Sequence, residues 1–196
     1  EMLRSLVGSE MCIRDRLKEL PIIANGEKVK YVHSIKQPND TTLWVSTVGE
    51  GIVKVIFDAS TATPTVKSAS RTVIDNGRMA SNYFFTSYQE NDSILWFGNR
   101  GCGAYRMNVE TGEMIPHRFD SIVSSQTAND IFAIYKNAKG YWLGTSSGLL
   151  HLEQDDSLYT KADLFLNNTV HGVLEDHQGD LWLLSLIHIS EPTRLL

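Results

Sequence analysis

The chain has 196 residues, 42% of them hydrophobic, and its 18 basic and 23 acidic residues give a net charge of -5. This length is enough for one globular domain with its own core. The acidic balance, without any cluster of Lys and Arg, argues against a nucleic-acid partner or an anionic membrane surface. Apolar runs stay well short of the roughly 18 residues that a membrane-spanning helix requires, so we expect no membrane contact within these residues.

The two ends differ from the rest of the chain. Residues 1–16 and 184–196 share none of the periodicity found between them. The stretches LVGSEMCIRDR and LSLIHISEPTR within them can be encoded by opposite strands of one short DNA that resembles a transposon-end sequencing adapter. We therefore set both ends aside as artefact tails and take residues 17–183 as the natural segment. Removing the tails takes away equal numbers of basic and acidic residues, so the net charge stays at -5.

Setting the tails aside changes two inferences. Cys12 belongs to a tail, so Cys102 is the one cysteine of the natural segment and no internal disulfide is expected. The lack of a signal peptide carries no information, because we expect the true N-terminus of the gene product to be missing.

A repeat centred on tryptophan organises the segment between the tails. Four stretches, aligned on Trp44, Trp96, Trp142 and Trp182, each show an apolar run, a polar turn and a second strand. The tryptophans lie 52, 46 and 40 residues apart, near the roughly 40–50 residues of a four-stranded propeller blade. Apolar residues do not recur at three- and four-residue offsets, which argues against a helical repeat.

The strands of each repeat are predicted from the turns that separate them. Apolar runs rich in β-forming residues, such as Tyr83–Phe85 and Ile131–Tyr135, form the first strands. The hairpin turns before the tryptophan strands are predicted at 39–40, 91–92, 137–140 and 177–180. Third strands are predicted at 52–57, 104–108 and 149–152, and more variable fourth strands at 66–73, 113–117 and 157–161. The pattern predicts an all-β fold, a partial β-propeller of about three and a half four-stranded antiparallel blades.

The segments LWVST, LWFGN and YWLGTSSGLLHL, each preceded by a turn and an apolar strand, resemble the two-component regulator propeller repeat. The best match is Ile131–Leu152, and the resemblance covers essentially the whole segment between the tails. Blade one departs from the repeat at Ser46, where the family has Gly, and blade two at Asn99, where it has Thr. We therefore expect both blades to be irregular near the tryptophan strand.

The resemblance implies part of the extracytoplasmic sensor of a Bacteroidetes hybrid two-component system, in which two seven-bladed propellers and a β-sandwich precede a membrane helix, a histidine kinase and a response regulator. It implies a periplasmic location, an oligosaccharide or other small-molecule ligand, contacts with the remaining blades of the same protein, and a homodimer at full length. The segment is expected to bind or transmit without catalysis, and no cofactor is expected. A propeller enzyme such as a lyase and a protein-interaction propeller remain alternatives.

The four tryptophans are interpreted as packing between blades, since they occupy one position in every repeat. Ligand-binding residues are not identified. Candidates lie in the loops that enter the first strands, because propellers bind at the mouth of the central channel. These candidates, which turn capping would also explain, are Arg78, Asn82, Asn129 and Asn168.

No catalytic or metal-binding residue is predicted. His33 and His171 lie eleven residues before their tryptophans, where the other blades carry Phe85 and Ile131. Together with His117, His151 and His177 they show no spacing expected of zinc ligands. The carboxylates considered for acid–base chemistry are placed in turns: Asp155, Asp156, Glu175, Asp176 and Asp180. Ser124–Ser125 and Ser146–Ser147 lack the Gly-x-Ser-x-Gly context of an activated nucleophile.

An incomplete ring of blades leaves two sheet faces without a neighbour. We expect both faces to expose apolar surface and the isolated arc to be poorly soluble.

Overall fold

The computed structural model describes residues 20–58, 60, 65–74, 82–119, 126–155, 158–165 and 168–185. Within these residues the regular structure consists of sixteen β-strands and a short 3-10 helix at Gln126–Asn129. The strands are β1 (Ile23–Ala24), β2 (Glu27–Lys28), β3 (Val32–Asn39), β4 (Thr42–Thr47), β5 (Ile52–Asp58), β6 (Thr65–Thr72), β7 (Phe84–Gln89), β8 (Ile94–Asn99), β9 (Ala104–Asn108), β10 (Met114–His117), β11 (Ile131–Asn137), β12 (Gly140–Thr145), β13 (Gly148–Asp155), β14 (Leu158–Phe165), β15 (Val170–Glu175) and β16 (Leu181–Ser185). No helix in the described residues is long and apolar enough to cross a membrane.

Consecutive antiparallel strands form the blades. Blade 1 is β3–β6, blade 2 is β7–β10, blade 3 is β11–β14, and the half blade 4 is β15–β16. Contacts between blades run from each first strand to the first and second strands of its neighbour. The first strands therefore converge at the inner edge of a radial arc. The predicted partial β-propeller is confirmed.

The core lies between successive blades. In each interface the tryptophan strand of one blade packs against the central strands of the next. The interface of blades 1 and 2 contains Trp44, Ile52, Phe84, Leu95, Phe97, Cys102, Tyr105 and Met107. Trp96 and Trp142 take the position of Trp44 in the next two interfaces. Each of these interfaces thus combines a buried tryptophan with aliphatic side chains of the neighbouring blade.

The strand bounds differ from prediction in blades 3 and 4. The strands β13 and β14 extend well beyond the predicted 149–152 and 157–161. The tryptophan strand of blade 4 continues to Ser185, which pairs with Val170, while Leu184 pairs with Gly172. Two residues assigned to the second tail therefore lie in this strand, and the rest of both tails lies outside the described residues.

Blades 1 and 2 both show a register shift beside the tryptophan strand, and blade 1 shows a second one. Between β3 and β4 the register shifts between Lys36 and Asn39, next to Pro38, which cannot donate a ladder hydrogen bond. A further shift, between Val32 and Ser34, falls opposite Thr47 and Ser46, whereas Ser46 pairs with Ile52 on its other side without a shift. In blade 2, β7 and β8 shift register between Phe84, the partner of Asn99, and Thr86, the partner of Gly98, whereas β8 and β9 pair without a shift.

The sequence did not predict the hairpin of β1 and β2. Its turn places Asn25 and Gly26 at φ values of 53° and 87°, a conformation that these two residues tolerate. Ile22 and Ala24 on this hairpin pack against the face of blade 1 that points away from blade 2. Across that face Val45, Val53 and Val55 are fully buried. We expected both end faces of the arc to expose apolar surface. For most of this face of blade 1 the expectation was wrong, because the hairpin covers it.

The opposite end of the arc does expose apolar side chains. Trp182 is 40% exposed, Leu174 is 65% exposed and Leu184 is 62% exposed. These three side chains line a cavity of about 320 Å³ together with Gly172, Val173 and Leu183. In blades 1, 2 and 3 the face that carries the tryptophan is covered by the following blade. The cavity at Trp182 therefore lies on a face of blade 4 that no described blade covers.

Candidate functional site

Three of the four tryptophans are buried between blades. Trp44, Trp96 and Trp142 keep only 4%, 3% and 3% of their surface exposed. This burial confirms the interpretation of these three residues as interblade packing. Trp182 occupies the same position and is exposed because no described blade follows it.

The indole N–H groups show how the hairpins support this packing. Trp96 Nε1 donates to Glu90 at 2.7 Å, and Trp182 Nε1 donates to Asp176 at 2.8 Å. Both acceptors stand six residues before their tryptophan. The residue six before Trp44 is Pro38, which has no side-chain acceptor, and among the described residues Trp44 Nε1 has no hydrogen-bond partner.

Two candidate ligand residues serve the linkers between blades. Asn82 Oδ1 accepts from Ile74 N at 2.7 Å, and its Nδ2 donates to Ile74 O at 3.3 Å. Asn129 Oδ1 accepts from Phe119 N at 2.9 Å. These bonds tie each asparagine to the end of the preceding blade. Asn168 is exposed, and Arg78 lies outside the described residues.

The other candidates are dispersed. Within the described residues no three His, Cys, Asp or Glu side chains are close enough together to hold a metal ion. Glu175 accepts from Asn137 Nδ2 at 2.6 Å, and Asp176 accepts from the backbone N–H groups of Gln178 and Asp180. His151 stacks on Trp142 with the ring centroids 4.0 Å apart. Asp156, Ser124 and Ser125 lie outside the described residues.

A strip of four rings runs along the inner edge of the arc. His33 contacts Phe85 with a centroid separation of 5.3 Å, Phe85 contacts Phe132 at 5.1 Å, and Phe132 contacts His171 at 4.6 Å. We call these four residues the ring strip. His33 is exposed and the other three are half-buried.

The ring strip corrects the sequence alignment in blade 3. Phe132, and not Ile131, stands where the other blades carry His33, Phe85 and His171. Tyr135 pairs with Trp142 seven residues later, whereas Tyr88 pairs with Trp96 eight residues later. The hairpin of blade 3 is thus one residue shorter, and counting back from the tryptophan misses this difference. Ile131 is fully buried between blades 2 and 3.

A backbone irregularity places each ring. In all four blades the register shifts at the ring residue, between Val32 and Ser34, Phe84 and Thr86, Ile131 and Ala133, and Val170 and Gly172. Each ring is therefore the extra residue of a β-bulge, a feature that redirects a side chain and is common next to binding sites. The sequence could have revealed the ring strip only through an alignment that allowed for the shorter hairpin.

Two residues before each ring, the chain enters the first strand. The residues at these positions, which we call the rim, are Tyr31, Tyr83, Asp130 and Thr169. Ser146 Oγ donates to Asp130 Oδ2 at 2.9 Å, and Thr169 Oγ1 donates to Ser146 O at 3.2 Å. Tyr31 is 72% exposed and has a φ of 52°, which is unusual for a bulky residue. Hydroxyl and carboxylate groups thus stand beside the aromatic strip.

A charged network joins blades 2 and 3 near the hairpin of blade 2. Lys136 Nζ donates to Glu90 Oε1 at 2.7 Å and to Tyr141 Oη at 3.1 Å. Burial alone would raise the pKa of Glu90, but hydrogen bonds from Lys136, Trp96 and Tyr141 outweigh it and keep that pKa below its ordinary value. Burial, and then the bond to Glu90, raises the pKa of Tyr141. Glu90 is therefore held as a carboxylate that links two blades.

His117 makes the arc sensitive to acid. Burial, and then the nearby Arg106 charge, lowers the pKa of His117 below its ordinary value. The unfolded chain therefore takes up this proton first as the pH falls through about 6.5, and the free energy of unfolding decreases. Above that pH His117 is neutral in both states and contributes no slope.

We expect His117→Gln to flatten the pH dependence of stability between about pH 7 and pH 5. Below about pH 4.5 the decline caused by Glu90 should remain, because its pKa is lowered on folding. Urea unfolding at several pH values measures both slopes. An unchanged slope above pH 5 in the variant would show that another group titrates there.

No family model matches the chain. It is 34% identical over 112 residues to histidine kinase P4 of Formosa agariphila, a match that covers 56% of this chain and 8% of the kinase. The chain thus spans a small part of that relative.

Several solved structures have a similar fold. The extracellular domain assigned to a hybrid two-component system of B. thetaiotaomicron matches with a TM-score of 0.61 and 17% identity, over 86% of this chain and 22% of that one. The extracellular domain assigned to a one-component system of that organism matches with a TM-score of 0.51 and 15% identity, over 86% and 27%. The WD40 propeller domain of Doa1 matches with a TM-score of 0.57 and 10% identity, over 82% and 52%.

The fold and these structural likenesses define the chain as a segment of a β-propeller. The sequence match to histidine kinase P4 confirms, more particularly, the resemblance to the propeller repeats of two-component regulators.

Proposed function

We propose that the chain is part of the extracytoplasmic sensor of a two-component system and binds an oligosaccharide there without catalysis. The observation that carries this proposal is the 34% identity to a histidine kinase. The matched region makes up only 8% of the length of that kinase. Solved structures with a similar fold, the extracellular domains from B. thetaiotaomicron, support a location outside the cytoplasm. In a bacterium with two membranes, that location is the periplasm.

The geometry supports binding better than catalysis. Two of the carboxylates that the sequence analysis considered serve a blade contact or a turn: Glu175 bonds to Asn137, and Asp176 caps its own hairpin. The inner edge instead presents aromatic rings beside hydroxyl groups, which suits a binding site. In the complete receptor the bare face at Trp182 would be covered by a further blade, and the receptor would act as a homodimer.

The test uses the complete gene product in membrane vesicles. Autophosphorylation is measured with labelled ATP, with and without cello-, manno-, xylo- and laminari-hexaose. We expect at least one glycan to change the rate of labelling, and an otherwise identical protein with Trp142→Ala to lose the response. A complete reading frame without a membrane helix and a kinase domain would overturn the proposal, as would labelling that no glycan alters.

A further inference from the structure

We propose that the ring strip and the rim together form the glycan-binding site, with one pyranose ring held at the mouth of the central channel. This inference rests on the proposed function and adds to it the residues that make contact. It starts from the first strands, which converge at the inner edge, so their N-terminal ends and the bulges behind them face one opening.

The four side chains of the ring strip lie outside the apolar core and are available to contact a ligand. His33, Phe85, Phe132 and His171 belong to none of the four apolar clusters formed by the described residues. The neighbouring strand residues Phe84, Ile131 and Val170 fill those clusters and are at most 1% exposed. Because of the bulge, one residue of the strand packs between blades and the next points toward the inner edge.

The chemistry of the ring strip suits a pyranose. Phe85 and Phe132 form an apolar surface in the middle, against which the C–H face of a sugar can pack. An imidazole at each end can donate to or accept from a sugar hydroxyl. His171 Nε2 is buried and has no hydrogen-bond partner among the described residues, so this end of the ring strip carries an unpaired polar atom.

The rim adds directional groups at the opening. The Tyr83 ring lies beside Gly49, where a Cβ atom would approach its Cζ to 3.9 Å, so the ring spans the boundary between blades 1 and 2. Asp130 is oriented by Ser146 Oγ at 2.9 Å. Tyr31 holds a backbone conformation that is strained for a bulky residue, and such strain concentrates at binding sites.

The test measures the binding of the four neutral hexaoses, and of an alginate hexasaccharide, to the full 196-residue chain by calorimetry. Phe132→Leu keeps the apolar volume but removes the ring, and we expect it to weaken binding by roughly tenfold. Tyr83→Phe removes one rim hydroxyl and should weaken binding a few-fold. Ile115→Ala is the matched control, because Ile115 is 46% exposed on β10, away from the inner edge. Urea unfolding of each variant separates a loss of binding from a loss of folding.

The possible outcomes distinguish the site from the function. Tenfold weaker binding by Phe132→Leu, with an unchanged urea midpoint and an unaffected Ile115→Ala control, supports the site. Binding that Phe132→Leu and Tyr83→Phe leave intact overturns the site while the sensor function stands. If none of the hexasaccharides binds the unaltered chain, both the site and the proposed ligand class fail.

Discussion

Replacing Trp142 with alanine should lower the free energy of unfolding by about 3–5 kcal/mol, the range typical of a fully buried tryptophan. Trp142 is 3% exposed and packs between blades 3 and 4 against Val170, Leu181 and Leu183. His151 stacks on its other ring face. The substitution removes this contact area and leaves a cavity that the two paired sheets cannot close, because their strands are fixed by ladder hydrogen bonds.

Trp182→Ala is the matched control, because it changes the same residue at the same position of the repeat. Trp182 is 40% exposed, so its loss should cost about 1 kcal/mol or less. Urea denaturation of both variants gives the comparison directly. If both variants lost the same free energy of unfolding, Trp182 would be covered in solution, and the conclusion that this end of the arc is open would be wrong.

The second large effect is expected from Gly98→Ala, which should cost about 2–3 kcal/mol through overpacking. A Cβ atom at Gly98 would lie 2.5 Å from Thr86 Cγ2 and 2.8 Å from Ile131 O. The carbonyl belongs to the bulged first strand of the next blade, so relief requires two blades to separate. A Cβ atom at Gly144 would likewise lie 2.6 Å from Val170 O, in the first strand of blade 4.

Gly172→Ala provides the control for this prediction. Its Cβ atom would meet Leu184 Cβ at 3.3 Å, and Leu184 lies at the open end where it can shift. We expect a change of about 0.5 kcal/mol or less, since alanine is slightly preferred over glycine within a strand. Thermal or urea unfolding measures both variants. A stable Gly98→Ala protein would show that the interface of blades 2 and 3 is looser than its geometry indicates.

Much of the fold was predictable because strand patterns are local. The apolar run around Trp96, the Asn91 turn and the glycine turn after Asn99 each lie within a few residues of one another. The burial of Trp44, Trp96 and Trp142 followed from their equivalent positions in the repeat. That shared position was enough to identify the blade interfaces.

The candidate site was less predictable, because its residues depend on register. Asn82 and Asn129 stood out in the sequence as polar residues in loops, yet they cap linkers. Phe132 was missed since a hairpin shortened by one residue moves it out of alignment with Phe85. A β-bulge leaves no composition signal, because the extra residue can be His or Phe.

The amino-acid sequence by itself determined the number of blades, the order of their strands and the side chains that join one blade to the next. These properties depend on apolar runs and turn residues, which act over short stretches of chain. The tertiary structure alone decided that the hairpin at Ile23–Lys28 covers one end face, that Trp182 stays exposed at the other, and that four rings meet at the inner edge. Each of these depends on contacts between residues distant in the chain, where a shift of register by one residue changes the partner.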